Sequence, residues 1–546
     1  MREPPRMTTQ ELLEHFIMFT SYPFMSGLAL IAFLLFLTSL PLLAASLKQV
    51  RRSTWLLLAA IGGISFALWK WYMPHFPLVV DDQYCHLDLA WNLCRDRIYR
   101  FTLVGDLNRC EIPTFSGAWP PGYHFILSLV FSLFGPSEEW AYALTLAFSL
   151  LSLFFFFAVV YLLTENERAA LWGAFLLMTV PVFIRLSATC TLEMCSLMFF
   201  LITATMALLS HRSPSLRTFA SLAAVAVYTC YIRPENIILL AACALFFIVY
   251  YYRGVAKSLL FRRYMLAALP VLLLLIPLAV IYYYTFVYLG PPGWNSATLA
   301  PGKNLLRHIG YNVYFFFGQY GSLPFMLAFI TGCVILARYD GIVAKRGVVA
   351  AFSAFWALLC LVFYSSYYLG NFSLYTGSDR FAIAIYLPLC LIGGIGLSKL
   401  TSSGELSTDA VVTVSLALFL LCSSKAPLDS INADHFSFSA CREYFYLKSL
   451  NPKCFDRRDT VICYHTQSKI YFLLGLKAMS IFVFLSVENP PERAVLFADA
   501  DWFSPPQSEA DARAYEVLTQ NYTFEPLMVR NDEGEQPIGF YRLHRK

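Results

Sequence analysis

The sequence predicts an α-helical polytopic membrane protein with about 12 transmembrane helices, additional interfacial helices and a small C-terminal α/β soluble domain. Of its 546 residues, 58% are hydrophobic and only 14% are charged. The mean hydropathy is +0.58. In ordinary soluble domains about a quarter of the residues are charged. This composition therefore indicates a chain that is solvated largely by lipid.

Apolar segments long enough to cross a hydrocarbon layer of about 30 Å recur along most of the chain. As helices, they satisfy their backbone polar groups internally. No small-residue cleavage pattern follows the first segment, so we expect that helix to be retained rather than removed as a signal peptide. The predicted spans are residues 25–47, 54–73, 139–163, 169–186, 189–209, 216–232, 236–252, 264–288, 322–338, 347–369, 380–398 and 409–424.

Basic residues cluster in four short loops, at residues 48–52, 211–217, 253–263 and 338–346. Because positive loops remain in the cytoplasm, both chain termini and the long loop 74–119 are expected on the opposite side. The basic residues behind the net charge of +5 thus lie in short loops that determine membrane orientation. This distribution does not favour nucleic-acid binding.

One apolar run, at residues 120–134, is short. The four basic loops all lie on the cytoplasmic side only if this run does not cross the membrane. Its two opening prolines suit the first turn of a helix. We therefore expect an interfacial helix, with Trp119, Tyr123 and His124 at the depth of the lipid headgroups.

Ionisable residues concentrate in the loop 74–119, which opens with Asp81 and Asp82 directly after a predicted span. An amphipathic stretch follows, in which Tyr84 and Asp88 share one helix face at i, i+4. Adjacent like charges raise the pKa of a carboxylate, as a general base near neutral pH requires. Alternatively, one of the two acids N-caps the following helix while the other acts.

Five motifs follow one another in a characteristic order. They are Asp81-Asp82; Trp119-Pro120-Pro121-Gly122-Tyr123; Thr179-Val180-Pro181 with Arg185 and Glu193; Ile232-Arg233-Pro234-Glu235; and Ser378-Asp379-Arg380-Phe381. Together they resemble the GT-C superfamily of membrane glycosyltransferases, in particular bacterial relatives of protein O-mannosyltransferases and of lipid A aminoarabinose transferases. The likeness covers about residues 54–400.

The chain departs from this family at three points. Many relatives carry Asp where this chain has Glu193, and residues 1–53 contain an apparent extra helix. The lysine that some relatives use against the donor phosphate is not identifiable, although Lys303 and Arg307 lie in the expected neighbourhood.

The resemblance implies a GT-C-like module at residues 54–424, and the change of sequence pattern after it predicts an extracytoplasmic α/β domain at 425–546. It implies transfer of a sugar from a polyprenyl-phosphate donor to an acceptor, a lipid, glycan or protein, that the sequence does not identify. The catalytic base would be Asp82 or Asp81. Donor phosphate or substrate would be bound by Arg380, Arg233, Arg185, Glu193, Tyr84, Asp88, His124 and Lys303.

The resemblance also implies where the protein is located. It would be a multi-pass protein of the bacterial inner membrane, with its site facing the periplasm or exterior, or of the ER membrane in a eukaryote. No cofactor is assigned. A divalent metal held by His75, His86 or His124 with Asp81 or Asp82 is an alternative, but the histidines lack ligand spacing, which favours interfacial histidines.

Other interpretations remain open. The arginines could reach the headgroups or pair locally with Glu193, Glu235 or Asp379. A multi-pass transporter or a non-catalytic scaffold would share the composition, yet the sequence shows no internal repeat and no matched pair of broken helices.

The pattern becomes soluble after about residue 424. Residues 460–464, 494–498 and 539–543 resemble strands, and 467–474 and 508–519 resemble helices. This alternation predicts the α/β domain, which would act as a lid, an acceptor-binding element or a structural cap.

The orientation is testable by labelling with a membrane-impermeant thiol reagent. Cysteines introduced beside Asp106 and in the C-terminal domain should react from the outer face, whereas one beside Lys257 should not, because basic loops stay in the cytoplasm. Labelling of the Asp106 and Lys257 positions from the same side would contradict this arrangement.

Overall fold

The computed structural model describes most of the chain, and the statements below concern only those residues. They are residues 8–73, 80–100, 119–233, 235–241, 244, 271, 273–287, 305–318, 323–338, 346–366, 372, 378–402, 406–436, 439–456, 458–463, 467–486, 493–498, 509–530 and 537–546.

The first half of the described chain is helical. A π-helical turn, Leu68–Tyr72, continues the second helix. The helices are α1 (Thr9–Leu47), α2 (Arg52–Ala67), α3 (Val80–Asp96), α4 (Gly122–Phe134), α5 (Glu138–Thr164), α6 (Glu167–Thr179), α7 (Pro181–Ser187), α8 (Glu193–Arg212) and α9 (Leu216–Cys230).

The second half continues with helices up to the C-terminal domain, and a short 3-10 turn, Ser378–Ala382, precedes one of them. These helices are α10 (Ile276–Val287), α11 (Leu305–Gly318), α12 (Leu323–Arg338), α13 (Arg346–Ser365), α14 (Ile383–Leu400), α15 (Leu406–Phe436) and α16 (Ser439–Ser449).

The prediction of a largely helical chain with several apolar helices is confirmed. Among the described residues, five helices are long and apolar enough to cross a bilayer, namely Leu12–Leu47, Arg52–Tyr72, Glu138–Thr164, Glu193–Arg212 and Arg380–Leu400. The pair α6 and α7, bent by 68°, makes a sixth if it is one broken span. The count of 12 spans stays a prediction, since the span 236–252 lies mostly outside the described residues.

α4 agrees with the predicted short helix at residues 120–134, whereas α11 and α15 differ from the sequence prediction. α4 has 13 residues, about 20 Å at 1.5 Å per residue, which is too short to cross the hydrocarbon layer. α11 was not predicted. It packs beside the end of α13, where His308 Nδ1 lies 3.0 Å from the carbonyl oxygen of Ser365. α15 continues to Phe436, beyond its predicted end at 424.

Polar contacts tie the helices together at one end of the bundle. Arg51 pairs with Glu167 at 3.1 Å, and Arg212 pairs with Glu165 at 2.9 Å. These residues belong to or adjoin the predicted cytoplasmic loops. The helices α3 and α4 lie at the opposite end, where Tyr99 N–H donates to the carbonyl of Met18 in the first half of α1.

The C-terminal domain contains a five-stranded mixed sheet with the order β2-β1-β3-β5-β4. β1 runs parallel to β2 and β3, and β5 runs antiparallel to β3 and β4. The elements are β1 (Thr460–Cys463), α17 (Gln467–Leu474), β2 (Lys477–Ser480), α18 (Ile481–Ser486), β3 (Ala494–Ala498), α19 (Glu509–Asn521), β4 (Tyr522–Arg530) and β5 (Ile538–Arg545).

The predicted small sheet is thus confirmed, and the predicted strands match β1, β3 and β5. β4 was missed because it is an edge strand whose residues are mostly exposed and which contains Pro526. In sheets, proline is confined to edge strands and irregular positions. In the sequence alone, Pro526 therefore argues against a strand.

Gly122 joins two of the sequence motifs by a close backbone approach. Its N–H donates to the carbonyl oxygen of Tyr231 at 2.7 Å, and Tyr228 Oη donates to the Gly122 carbonyl at 3.0 Å. A Cβ at this position would lie 2.5 Å from the Tyr231 oxygen. The absence of a side chain therefore lets the start of α4 rest on the end of α9, directly before Arg233.

Gly122→Ala should lower the free energy of unfolding by about 1–3 kcal/mol, because the added methyl group forces the two backbones apart. Gly63→Ala is the matched control, since a Cβ there meets nothing within 4 Å and alanine favours a helix interior. Thermal melting in detergent measures both. Equal melting temperatures for Gly122→Ala and the unmodified protein would contradict the close approach.

Candidate functional site

The acidic pair occupies the first turn of α3, which begins at Val80. Asp81 and Asp82 thus lie inside the helix, after its N-cap position, and the favourable end of the helix dipole is close to both. Their side chains lie outside the described residues, as do Lys303, Asp106 and His75. Only the backbone positions of Asp81 and Asp82 are therefore used to place the acidic pair relative to the side chains described next.

Two arginines from distant motifs converge on one buried carboxylate. Arg233 Nη1 and Arg380 Nε each lie 3.6 Å from Glu193 Oε1, at the first residue of α8. Arg233 also pairs with Glu235 at 3.0 Å. Both guanidinium groups lie over the ring of Phe381, with centroid distances of 5.3 and 5.4 Å. The local pairing considered for these arginines is therefore present, and it brings three of the sequence motifs together.

Arg185 is completely buried on α7. α7 packs against the turn that carries Arg380. Among the described residues, Arg233 and Arg380 pair with Glu193, and Arg233 also pairs with Glu235. Guanidinium groups of this kind are suited to bind an anionic group such as a phosphate.

Two buried histidines make a second network beside the arginines. His86 Nδ1 and His124 Nε2 are 2.9 Å apart, and His124 Nδ1 lies 3.3 Å from Tyr99 Oη. Burial, followed by repulsion from His86, lowers the pKa of His124 well below 6.5. His124 is therefore neutral at neutral pH. Among the described residues, no three His, Cys, Asp or Glu side chains are placed to hold one metal ion.

Tyr123 and His124 do not face lipid, and the expectation that they lie with Trp119 at headgroup depth stays a prediction. Both are fully buried in the protein, because α4 is covered by α3 and by the end of α9. Burial, and then the nearby Cys190, Cys195 and Glu193, raise the pKa of Tyr123 well above 10.0, so its hydroxyl stays protonated.

Tyr84 and Asp88 were expected to act from one helix face, and the structure assigns them to different networks. Asp88 Oδ1 accepts from Asn92 Nδ2 at 3.0 Å, and the same amide donates to the Arg100 carbonyl at 3.0 Å. Tyr84 Oη instead donates to Glu138 Oε1 at 2.5 Å. Asp88 thus lies in contacts within the α3 segment, and Tyr84 in contacts with α5.

Glu138 is a buried junction that sequence reasoning missed. Its Oε2 accepts from Lys448 Nζ and from Tyr444 Oη, both at 3.2 Å, while Oε1 accepts from Tyr84. One carboxylate therefore links α3, α5 and α16. In sequence, Glu138 follows the N-cap Ser137 and resembles an ordinary first-turn acid, so only the tertiary fold identifies it.

The C-terminal domain also contacts α3 through α17. Cys85 Sγ lies 3.8 Å from Ser468 Oγ, and Arg95 Nη1 donates to Tyr471 Oη at 2.8 Å. The ring of Phe472 packs against Tyr84. The helix that carries the acidic pair is therefore covered along much of its length by the C-terminal domain.

The fold and these motif contacts are those of a largely helical protein with several apolar helices of membrane-spanning length. Residues 118–293 match the sequence model of the family described as dolichyl-phosphate-mannose-protein mannosyltransferase. No curated protein sequence matches the chain. The resemblance predicted from the motifs is thus confirmed by a family match over this part of the chain.

Solved structures share the fold. ArnT from Cupriavidus metallidurans bound to undecaprenyl phosphate matches with a TM-score of 0.59 at 12% identity, over 90% of this chain and 98% of that one. The apo state of the same protein matches with a TM-score of 0.58 at 12% identity, over 89% and 97%. At this identity the likeness establishes an ArnT-like fold.

Lys448→Met should destabilise the protein, because it leaves the buried Glu138 carboxylate without its cation. Half of the Lys448 side chain is exposed. Because of solvent screening, the expected loss in the free energy of unfolding is about 1 kcal/mol. Glu138→Gln in the same chain should recover part of this loss, since the neutral amide needs no counter-charge. Thermal melting of both variants measures the effect.

Asp456→Asn is the matched control, because it removes an exposed ion pair with Arg493 in the same domain. Its melting temperature should not change measurably. A Lys448→Met protein that melts like this control would show that the junction contributes nothing to stability.

Proposed function

We propose that this protein is a membrane glycosyltransferase that moves a sugar from a polyprenyl-phosphate donor to an acceptor on the extracytoplasmic side. The observation that carries the proposal is the convergence of Arg233 and Arg380 on Glu193, beside the helix whose first turn bears Asp81 and Asp82. The fold match to ArnT and the family match at residues 118–293 support the same class of reaction.

The arginines suit the leaving group of this reaction. When the bond between the anomeric carbon and the phosphate oxygen breaks, the phosphate gains negative charge, and guanidinium groups held in a partly desolvated site stabilise it strongly. ArnT is described with undecaprenyl phosphate bound, which supports a polyprenyl phosphate as the lipid here. The lipid tail would stay in the bilayer while its phosphate reaches the helix ends.

The acidic pair suits the acceptor. A carboxylate of Asp81 or Asp82 takes the proton of an acceptor hydroxyl, whose oxygen then attacks the anomeric carbon. The proton remains on the carboxylate, and the electron pair of the broken bond leaves with the phosphate. We favour Asp82 as the base, with the other acid acting through the local electrostatic field.

The extracytoplasmic placement is supported by the distribution of basic residues. Arg51 and Arg212 lie at the bundle end that is opposite to α3 and α4, and positive residues mark the cytoplasmic side. On this orientation, the C-terminal domain covers the site from outside. A periplasmic site in a bacterial inner membrane follows if the host is a bacterium.

Arg380→Ala should weaken binding of a polyprenyl phosphate and lower turnover, because one of the two arginines at Glu193 is lost. Arg380→Lys should recover only part of the affinity, since an ammonium group cannot make a bidentate phosphate contact. Lipid titration and transfer kinetics measure both quantities. Unchanged values in both variants would remove Arg380 from the site.

Asp81→Asn and Asp82→Asn separate a base from a structural acid. The amide keeps the shape but cannot accept a proton, so one variant should insert and bind donor normally while transfer falls by about 10² to 10⁴ fold. The other should show a milder loss. Transfer assays and thermal melting of each variant decide, and full activity in both would end the catalytic assignment of α3.

A further inference from the structure

The short helix that carries Arg185 begins at a sharp bend. Pro181 disfavours a helical conformation of the residue before it, and Val180 accordingly has φ −63° and ψ 119°. The chain bends by 68° between α6 and α7 at this point. α7 has seven residues, about two turns. Because so short a helix is not stable by itself, neighbouring elements must set the direction of Arg185.

The helix that leads into the C-terminal domain, α15, satisfies the backbone at this bend. Thr179 is the last residue of α6, and the last carbonyl groups of a helix have no intrahelical donor. Ser424 Oγ of α15 donates to the Thr179 carbonyl oxygen at 2.6 Å, a shorter distance than its 3.0 Å to the carbonyl oxygen of Leu420. In membrane proteins, serines of neighbouring helices satisfy backbone groups that are freed at helix breaks. α15 is therefore bound to the bend itself.

A small cluster of buried apolar side chains holds one face of α7. Ile184 and Ala188 lie one turn apart on this face. Leu428 of α15 and Met73 pack against them, and all four residues are at most 4% exposed. Arg185 follows Ile184 directly. Contacts that fix this face therefore also fix the direction in which Arg185 leaves the helix.

Met73 reaches this cluster at the end of the π-helical turn Leu68–Tyr72. Its N–H donates at 3.0 Å to the carbonyl oxygen of the residue five positions earlier, as in a π-helix. The hydroxyl of Tyr72, next to it, donates to Asp429 of α15. The end of α2, which precedes the acidic pair, and α7 are thus both fastened to residues 424–429 of α15.

The orientation of α7 matters because of the length of an arginine side chain. The guanidinium group lies at the far end of this side chain, so a small rotation of α7 displaces it much more than it displaces the backbone. α7 also contacts the turn that carries Arg380. A rotation of α7 would therefore change the position of Arg185 relative to Arg380.

We propose that residues 424–429 of α15 form a strut that positions Arg185 for the donor phosphate, an inference that rests on the proposed function and deepens it. Ser424 holds the bend, and Leu428 holds the face of α7 beside Arg185. Both are positioning residues, since they act through α7 and not on the lipid. Because α15 leads into the C-terminal domain, the strut also couples the cover of α3 to Arg185.

Leu428→Ala tests the strut, with Leu420→Ala as the matched control. Leu420 lies in the same helix and is equally buried, at 3% exposed against 2%, but it belongs to the main core of the bundle and not to the cluster of Ile184 and Ala188. Both changes leave a cavity, so both should lower the melting temperature. Titration with undecaprenyl phosphate, well below both melting temperatures, separates them.

The affinity for this lipid should fall by about tenfold in Leu428→Ala, because a guanidinium group that is out of place binds the phosphate less well. It should stay unchanged in Leu420→Ala. Leu428→Met should restore the affinity, since it conserves the side-chain volume. A loss of stability alone would not produce this difference between two equally buried leucines.

A double-mutant cycle shows whether Leu428 acts through Arg185. Arg185→Met removes the guanidinium group, so addition of Leu428→Ala should not lower the lipid affinity any further. A further loss of the same size as in the unmodified background would contradict the strut. If Arg185→Met does not fold, the comparison of Leu428→Ala with Leu420→Ala decides alone.

The strut and the proposed function fail in different ways. If the unmodified protein binds undecaprenyl phosphate and the two alanine variants bind it equally well, the strut is overturned and the proposed function survives. If the unmodified protein binds no undecaprenyl phosphate at all, the proposed function fails together with the strut.

Discussion

The need to compensate a buried carboxylate organises this end of the molecule. Glu193 begins a membrane helix with its side chain almost completely buried, and an ionised carboxylate in such a place is costly without cationic partners. Arg233 and Arg380 supply them from segments nearly 150 residues apart. Helices α8 and α9 and the turn before α14 must therefore meet at one point, and the proposed chemistry depends on this meeting.

The rest of the framework positions that point. Gly122 allows the half-length α4 to rest on the end of α9, and the bend between α6 and α7 brings Arg185 to the same level. Elsewhere in the bundle, α14 approaches α12 so closely that a Cβ on Gly396 would lie 2.6 Å from the Gly332 nitrogen. Small residues permit such close helix packing where hydrophobic forces do not drive it.

The sequence predicted those features that depend on local composition and motif. Hydropathy located the apolar helices because the bilayer requires them, and the spacing of Arg233 and Arg380 within recognisable motifs pointed to one site. It did not predict that Glu193 joins both arginines or that Glu138 joins α3 to Lys448 across 310 residues. Such contacts depend on tertiary packing, since an acid after a serine N-cap looks the same whether it is solvated or buried. The complete burial of Tyr123 was not predicted for the same reason.

The junction at Glu138 also sets an order of assembly. Tyr84 and Glu138 are inserted early during synthesis, but Lys448 and Tyr444 follow only after the last membrane helices have left the ribosome. Until then Glu138 lacks its cation, and the helix that bears the acidic pair lacks its cover. A chain that ends before α16 therefore contains every residue of the five motifs but lacks the contacts of Tyr444 and Lys448 with Glu138.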